Sequence, residues 1–152
     1  MEHAVTKDAD RRSVVAFYDT WGHHVVARAF AEARTMFEPD MVAFGTFADF
    51  IHGIDAVERD QWRQVWPMIA DFRFATEHTH VDVSPDRLMA SAAVPWTSTG
   101  FDQDGRPFPR NGRATVTLRR TSVDAPWRGV HTHFSLNRGT PGRSYGQPTA
   151  VA

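Results

Sequence analysis

The sequence predicts an α+β domain with helices packed on one face of a curved, antiparallel sheet. Three observations carry this. Up to Ile69, apolar residues recur mainly at three- and four-residue steps, the spacing of a helical face. From Asp71 the pattern turns to alternation, the spacing of strands. Turn signals, Ser84-Pro85-Asp86-Arg87 and Asp104-Gly105, then divide the second half into long segments that fold back on one another.

The elements follow in order. Val14, Tyr18, Trp21 and Val25 mark one face of a first helix beginning near Lys7, with Met1 to Thr6 loose and Gly22 a weak point. Phe30, Ala33 and Phe37 mark a short second helix from Ala29 to Phe37, ended by Pro39. Met41 to Thr46 reads as a buried strand and Phe50 to His52 as a brief one. Asp55 caps a third helix, Ala56 to Ile69, with Val57, Gln61, Val65 and Ile69 on one side and Pro67 loosening its end. Asp71 to Val83 is a strand whose alternation slips, which calls for a bulge or strong twist near Glu77. Leu88 to Thr99, Ala114 to Arg120 and Trp127 to Leu136 complete the sheet. The segment from Asn137 is rich in Gly, Pro and Ser and reads as loose or draped on a partner.

A length of 152 residues with 41% hydrophobic residues suits a single domain with a real core. The net charge of -1, with no run dense in Lys and Arg, favours neither nucleic acid nor anionic lipid as a partner. The absence of cysteine excludes disulfides, thiolate metal sites and a Cys nucleophile, and fits a reducing cytoplasm. Neither a secretory leader nor an apolar run long enough to span a bilayer is expected.

The chemistry-bearing residues concentrate on the last strand. Strict alternation puts Trp127, Gly129, His131, His133 and Ser135 on one face. The other face, with Val130, Thr132, Phe134 and Leu136, is the more apolar. Two imidazoles and a hydroxyl in a row suggest the floor of a pocket, with His131 and His133 as acid and base and Ser135 as a hydrogen-bond partner for a ligand oxygen. Trp96, Phe44, Trp62 and Trp66 would wall a site for a flat ligand, or simply fill the core. Arg113 would pair with a ligand carboxylate. His78 and His80, beside Glu77, form a second His-x-His pair that, joined to the first, would suit Zn²⁺ or Fe²⁺; solvent-facing histidines are the simpler reading. No cofactor is called for.

Several stretches together resemble the nuclear transport factor 2-like superfamily, in its polyketide-cyclase-like (SnoaL-like) and ketosteroid-isomerase-like branch. They are Met36-Phe37-Glu38-Pro39-Asp40 running into Val42-Ala43-Phe44-Gly45-Thr46, then His52-Gly53-Ile54-Asp55-Ala56-Val57, then Gly112 to Arg120, and finally Trp127 to Ser135. The resemblance implies a cone: a six-stranded, mostly antiparallel sheet wrapped around three N-terminal helices, enclosing a blind apolar cavity. The resembling stretches cover roughly residues 10–137 and imply a homodimer through the outer sheet face; with the tail composition, the chain reads as one domain over residues 1–137 and a flexible tail over 138–152. Thr46 would line the cavity, and Tyr18 would offer an oxyanion donor as the helical tyrosine of isomerase relatives does. The general base of those isomerases falls near Gly45, which has none. The His-x-His-x-Ser strand resembles the kinase-association-domain-like relatives, including metal-free carbonic anhydrases. That likeness carries His133 and Ser135 over as cavity residues with His131 beside them, although Thr132 and Phe134 interrupt the usual pattern.

The expected function is therefore a small cofactor-free enzyme moving protons on a hydrophobic, carbonyl-bearing molecule, as an isomerase, cyclase or hydrolyase. A ligand-binding or assembly domain without turnover is the alternative. Metal-dependent or carbonic-anhydrase-like chemistry at the paired histidines is a third.

Overall fold

Helix and sheet meet along an aromatic seam. In the computed structural model, which describes residues 2–149, Trp21 and Tyr18 of the first helix are buried against Phe37, Phe74 and Trp62. The first helix, α1 (Glu2–Ala27), starts earlier than its apolar face predicts and runs unbroken through Gly22. A short α2 (Phe30–Arg34) follows, and Phe37 is already in strand β1 (Phe37–Phe44) rather than closing the helix. Pro39 lies inside β1, where the register against its neighbour jumps between Phe37 and Val42. A proline donates no ladder hydrogen bond, so the strand bends there instead of ending.

After β2 (Phe50–His52) the third helical run changes pitch three times. It begins as α3 (Ile54–Val57), widens to a π turn over Glu58–Trp62, returns to α4 (Arg63–Val65) and tightens to a 3-10 turn over Trp66–Met68. Pro67 sits in that last turn, which accounts for the tightening.

The slipping alternation after Asp71 is resolved by a break, not a bulge. Strands β3 (Ala70–Phe74) and β4 (His80–Val83) are separated by a 3-10 turn over Thr76–His78, and both pair with β5 (Met89–Phe101). A short β6 (Pro107–Pro109) also pairs with β5, ahead of β7 (Gly112–Arg119) and β8 (Arg128–Leu136). The sheet path is β2-β1-β8-β7-β5-β3, with β4 and β6 added on β5, eight strands among the described residues. Every pair is antiparallel except β1 with β8. The curved, open sheet around the helices is the α+β cone that the sequence predicts.

One feature of β8 inverts the expected lining of the cone. Leu118 of β7 pairs with Gly129, but the preceding Thr117 pairs with His131, so Val130 is an extra residue on β8. Such a bulge shifts every later side chain to the opposite face. Trp127 and Gly129 face the core, with the Phe37 ring filling the place of a Gly129 side chain. Beyond the bulge Thr132 and Phe134 face inward, while His131, His133 and Ser135 face outward.

The tail departs from expectation as well. Ser144 is buried: its Oγ donates to the Met68 carbonyl and accepts from Phe101 N at 2.9 Å. Tyr145 N donates to the Phe101 carbonyl at 2.8 Å. The segment is thus a strap from β5 to the turn at Met68; the tail expected over 138–152 also includes 150–152, which lie outside the described residues. Among the described residues, no helix is long and apolar enough to cross a membrane.

Candidate ligand-binding cavity

A cavity of about 40 Å³ lies between the inner sheet face and the third helical run. It has room for about three waters. Its large wall residues are aromatic: Trp21, Trp62, Trp66, Phe72, Trp96 and Phe134. Trp62 stacks on Trp66 with ring centres 4.8 Å apart, and Trp96 tilts against Phe134 at 6.0 Å. Four of the predicted wall residues, Trp62, Trp66, Trp96 and Thr46, therefore meet at one place.

Phe44 reaches the rim of this cavity but is 38% exposed. Its ring packs on His131 and His133, each at 5.0 Å, and on Phe50 at 5.2 Å, forming an aromatic patch on the outer sheet face. His131 Nδ1 donates to the Val42 carbonyl at 2.9 Å, and Arg113 Nε donates to Ser135 Oγ at 2.9 Å. The expected inward orientation of His131, His133 and Ser135 is thereby corrected, with the Val130 bulge as the physical reason, and Arg113 faces outward by the alternation of β7 itself. Tyr18 is fully buried, and its hydroxyl donates to the Ala92 carbonyl at 2.8 Å. Burial pushes that phenol well above its ordinary range, and it does not line the cavity.

His78 and His80 also stay apart from the last strand. His80 is exposed and reaches Asp82 at 3.2 Å. Among the described residues, no three His, Cys, Asp or Glu side chains gather as metal ligands.

Two cavity residues escape the sequence reading. Arg110, between β6 and β7, is 3% exposed yet has no carboxylate partner among the described residues. Its backbone is clamped by Ser98: Arg110 N donates to the Ser98 carbonyl at 2.8 Å, and Ser98 Oγ donates to the Arg110 carbonyl. The guanidinium donates to Thr46 Oγ1 at 3.3 Å and lies 6.0 Å from the Trp96 ring. Burial pulls its pKa below the usual arginine range. Gln61 is the second. The π turn carries it over the β1 end, where its Oε1 accepts from Phe47 N at 3.1 Å and Ala48 N at 2.9 Å, and its Nε2 donates to Thr46 Oγ1 at 3.1 Å. π turns of this kind recur at functional sites. A polar residue amid the apolar face Val57, Val65 and Ile69 was the available signal for Gln61; Arg110, in the irregular stretch after Pro107 and Pro109, gave none.

Gly45 has a steric reason to be glycine. A Cβ there would lie 2.5 Å from Gln61 Cδ and 2.9 Å from the Ala48 carbonyl. The Gln61 amide occupies the space into which a base at this corner would project.

The cavity's electrostatics are one-sided. Trp21 Nε1, Trp96 Nε1 and Arg110 Nε are all buried without a hydrogen-bond partner, and all belong to lining residues. None of the lining residues is His, Asp, Glu, Lys, Tyr or Cys. The lining thus carries a positive charge and no protein base.

A profile of the SnoaL-like domain family matches residues 14–138. The chain belongs to that family. This SnoaL-like domain matches no curated protein, but solved structures share its fold. A nuclear transport factor 2-like protein from Salmonella enterica is 14% identical over 91% of this chain and 99% of its own, with a TM-score of 0.72. A provisionally named scytalone dehydratase from Novosphingobium aromaticivorans is 12% identical over 98% and 99%, with a TM-score of 0.71. The association domain of CaMKII from C. elegans is 15% identical over 84% and 96%, with a TM-score of 0.64. The fold of this SnoaL-like domain thus accommodates proteins named as enzymes and as assembly modules, and the distinction rests on its own residues.

Proposed function

We propose that this SnoaL-like domain binds a compact hydrophobic molecule by a carbonyl or enolate oxygen held at Arg110. The observation that carries this is the buried guanidinium without a carboxylate partner among the described residues, in a lining that also holds Trp21 and Trp96. An uncompensated interior charge is costly, and an acceptor-bearing ligand offsets that cost. Thr46 and Gln61 hold the guanidinium side of the cavity in place. Such a donor set polarises a carbonyl and stabilises oxyanion character. A proton-transfer reaction here would need its base from the ligand or from water, because no lining side chain supplies one. Binding with polarisation is therefore favoured over the acid–base enzyme expected from the sequence. The small volume selects a slender ligand or one whose arrival rotates Phe134 or Phe72.

The test is a series of linear methyl ketones, followed by tryptophan fluorescence. Four of the five tryptophans line the cavity, so occupancy reports directly. Saturable quenching with a chain-length optimum is expected, and Arg110→Met should remove it. A ketone response undiminished in Arg110→Met would defeat the reading.

A second reading, self-assembly, is favoured by the outer face. Phe44 and Phe50 are exposed there at 38% and 57%, bracketed by His131, His133 and His52. Likeness in fold to a CaMKII association domain supports self-association, and the exposed aromatic patch is the candidate contact. Sedimentation of wild type against Phe50→Glu tests it: a shift to monomer in the variant is expected, and an unchanged mass counts against the face.

A further inference from the structure

Outside the cavity, across Arg110 and Val65, lies a second hollow of about 290 Å³. Its walls are the Phe47 loop, Gln64, Val65 and Met68 on one side and the strap residues Gly142 to Tyr145 on the other. It contains two guanidiniums, Arg110 and Arg143, and no acid. Arg143 has no carboxylate partner among the described residues; it lies 4.8 Å over the Tyr145 ring. Tyr145 is fixed in turn, its backbone N–H on the Phe101 carbonyl and its hydroxyl accepting from Gln103 Nε2 at 3.1 Å. Ser144, buried beside it, locks the strap to both Met68 and Phe101. A flexible arginine on a loose tail would be ordinary surface. Arg143 is exposed, but it stacks on an anchored ring and lines the same hollow as the buried Arg110, and that makes it a placed cation.

We propose that this outer hollow is a carboxylate subsite, so that the ligand class is an oxo acid: carbonyl inward at Arg110, carboxylate outward at Arg143. The proposal rests on the cavity reading above and adds the charge of the ligand to it. Guanidinium matches carboxylate geometry and gains strength where water is partly excluded. Arg110 and Val65 line both hollows, so a slender molecule that displaces one of these side chains would span the two, which suits an inner room too small to hold a whole ligand.

The test uses the full chain, with 4-oxopentanoate and its methyl ester as probes, followed by calorimetry. Wild type should bind the acid more tightly than the ester, and the preference should shrink with added salt. Arg143→Gln should lower affinity for the acid by about tenfold and leave the ester unchanged. Ser144→Ala, which releases the strap without touching Arg143, should reduce the same preference. Arg110→Met should weaken both probes. Equal affinity of wild type for acid and ester, or an Arg143→Gln variant that keeps the preference, overturns the carboxylate subsite while leaving the cavity reading intact. Undiminished binding of both probes by Arg110→Met overturns the cavity reading itself.

Discussion

Replacing Arg110 by Met should make the unliganded protein more stable while removing its ligand affinity. The guanidinium is 3% exposed and lacks an acid partner, so folding strips it of water without an ion pair in return. An interior charge in that position costs several kcal/mol even after relaxation. The Trp96 ring at 6.0 Å and the Thr46 hydroxyl at 3.3 Å return about 2 kcal/mol of that. Met keeps most of the volume and fills the aromatic wall without a charge. The net expectation is a gain of about 2 kcal/mol. For a domain of this size that raises Tm by roughly 4–8 °C. Urea unfolding followed by far-UV circular dichroism should show a higher midpoint at unchanged slope. A loss of about 1 kcal/mol or more would refute the reasoning, because it would mean that the charge is already compensated in the unliganded fold.

Three further outcomes follow from the geometry. Asp10→Asn should cost about 3 kcal/mol by urea unfolding, because it strands buried Arg120, to which Asp10 accepts at 2.9 Å. The Arg87 and Arg120 guanidiniums hold the Asp10 carboxyl below its ordinary 3.8, so its stabilisation is complete above that value and fades as pH falls further through the folded pKa; the Asn variant should lack this acid-limb slope. Gly45→Ala should cost about 2 kcal/mol and weaken ketone binding, since its Cβ displaces the Gln61 amide from the Phe47 and Ala48 N–H groups. His131→Ala and His133→Ala should leave ketone affinity within about twofold of wild type, as neither ring lines the cavity; a tenfold loss would return the imidazoles to the site.

Much of the architecture was legible because local patterns agreed with it. The Val14, Tyr18, Trp21 and Val25 stripe does bury one helix face, and Trp62, Trp66 and Trp96 do wall a cavity. The error on β8 came from applying strict alternation through Gly129 and Val130, where one extra residue resets the faces. The polarity of the strand held the correction: Thr132 and Phe134 belong to its more apolar row, which is the row that faces the core. Arg110 was illegible for a different reason. Its burial follows from the Ser98 clamp and from the wall made by the π turn, which are contacts between segments distant in sequence. The strap was misread because Gly, Pro and Ser signal looseness locally, and only the partners of Ser144 reveal its anchorage.

Val130 works as a phase joint in β8. It lets Trp127 and Gly129 stay against the core while Thr132 and Phe134, on the other count, do the same. Deleting it would leave both partners, Leu118 with Gly129 and Thr117 with His131, where they are and merely straighten the strand. Keeping all residues but slipping the strand by one against β7 would instead turn imidazoles into the hollow and a phenylalanine onto the exterior.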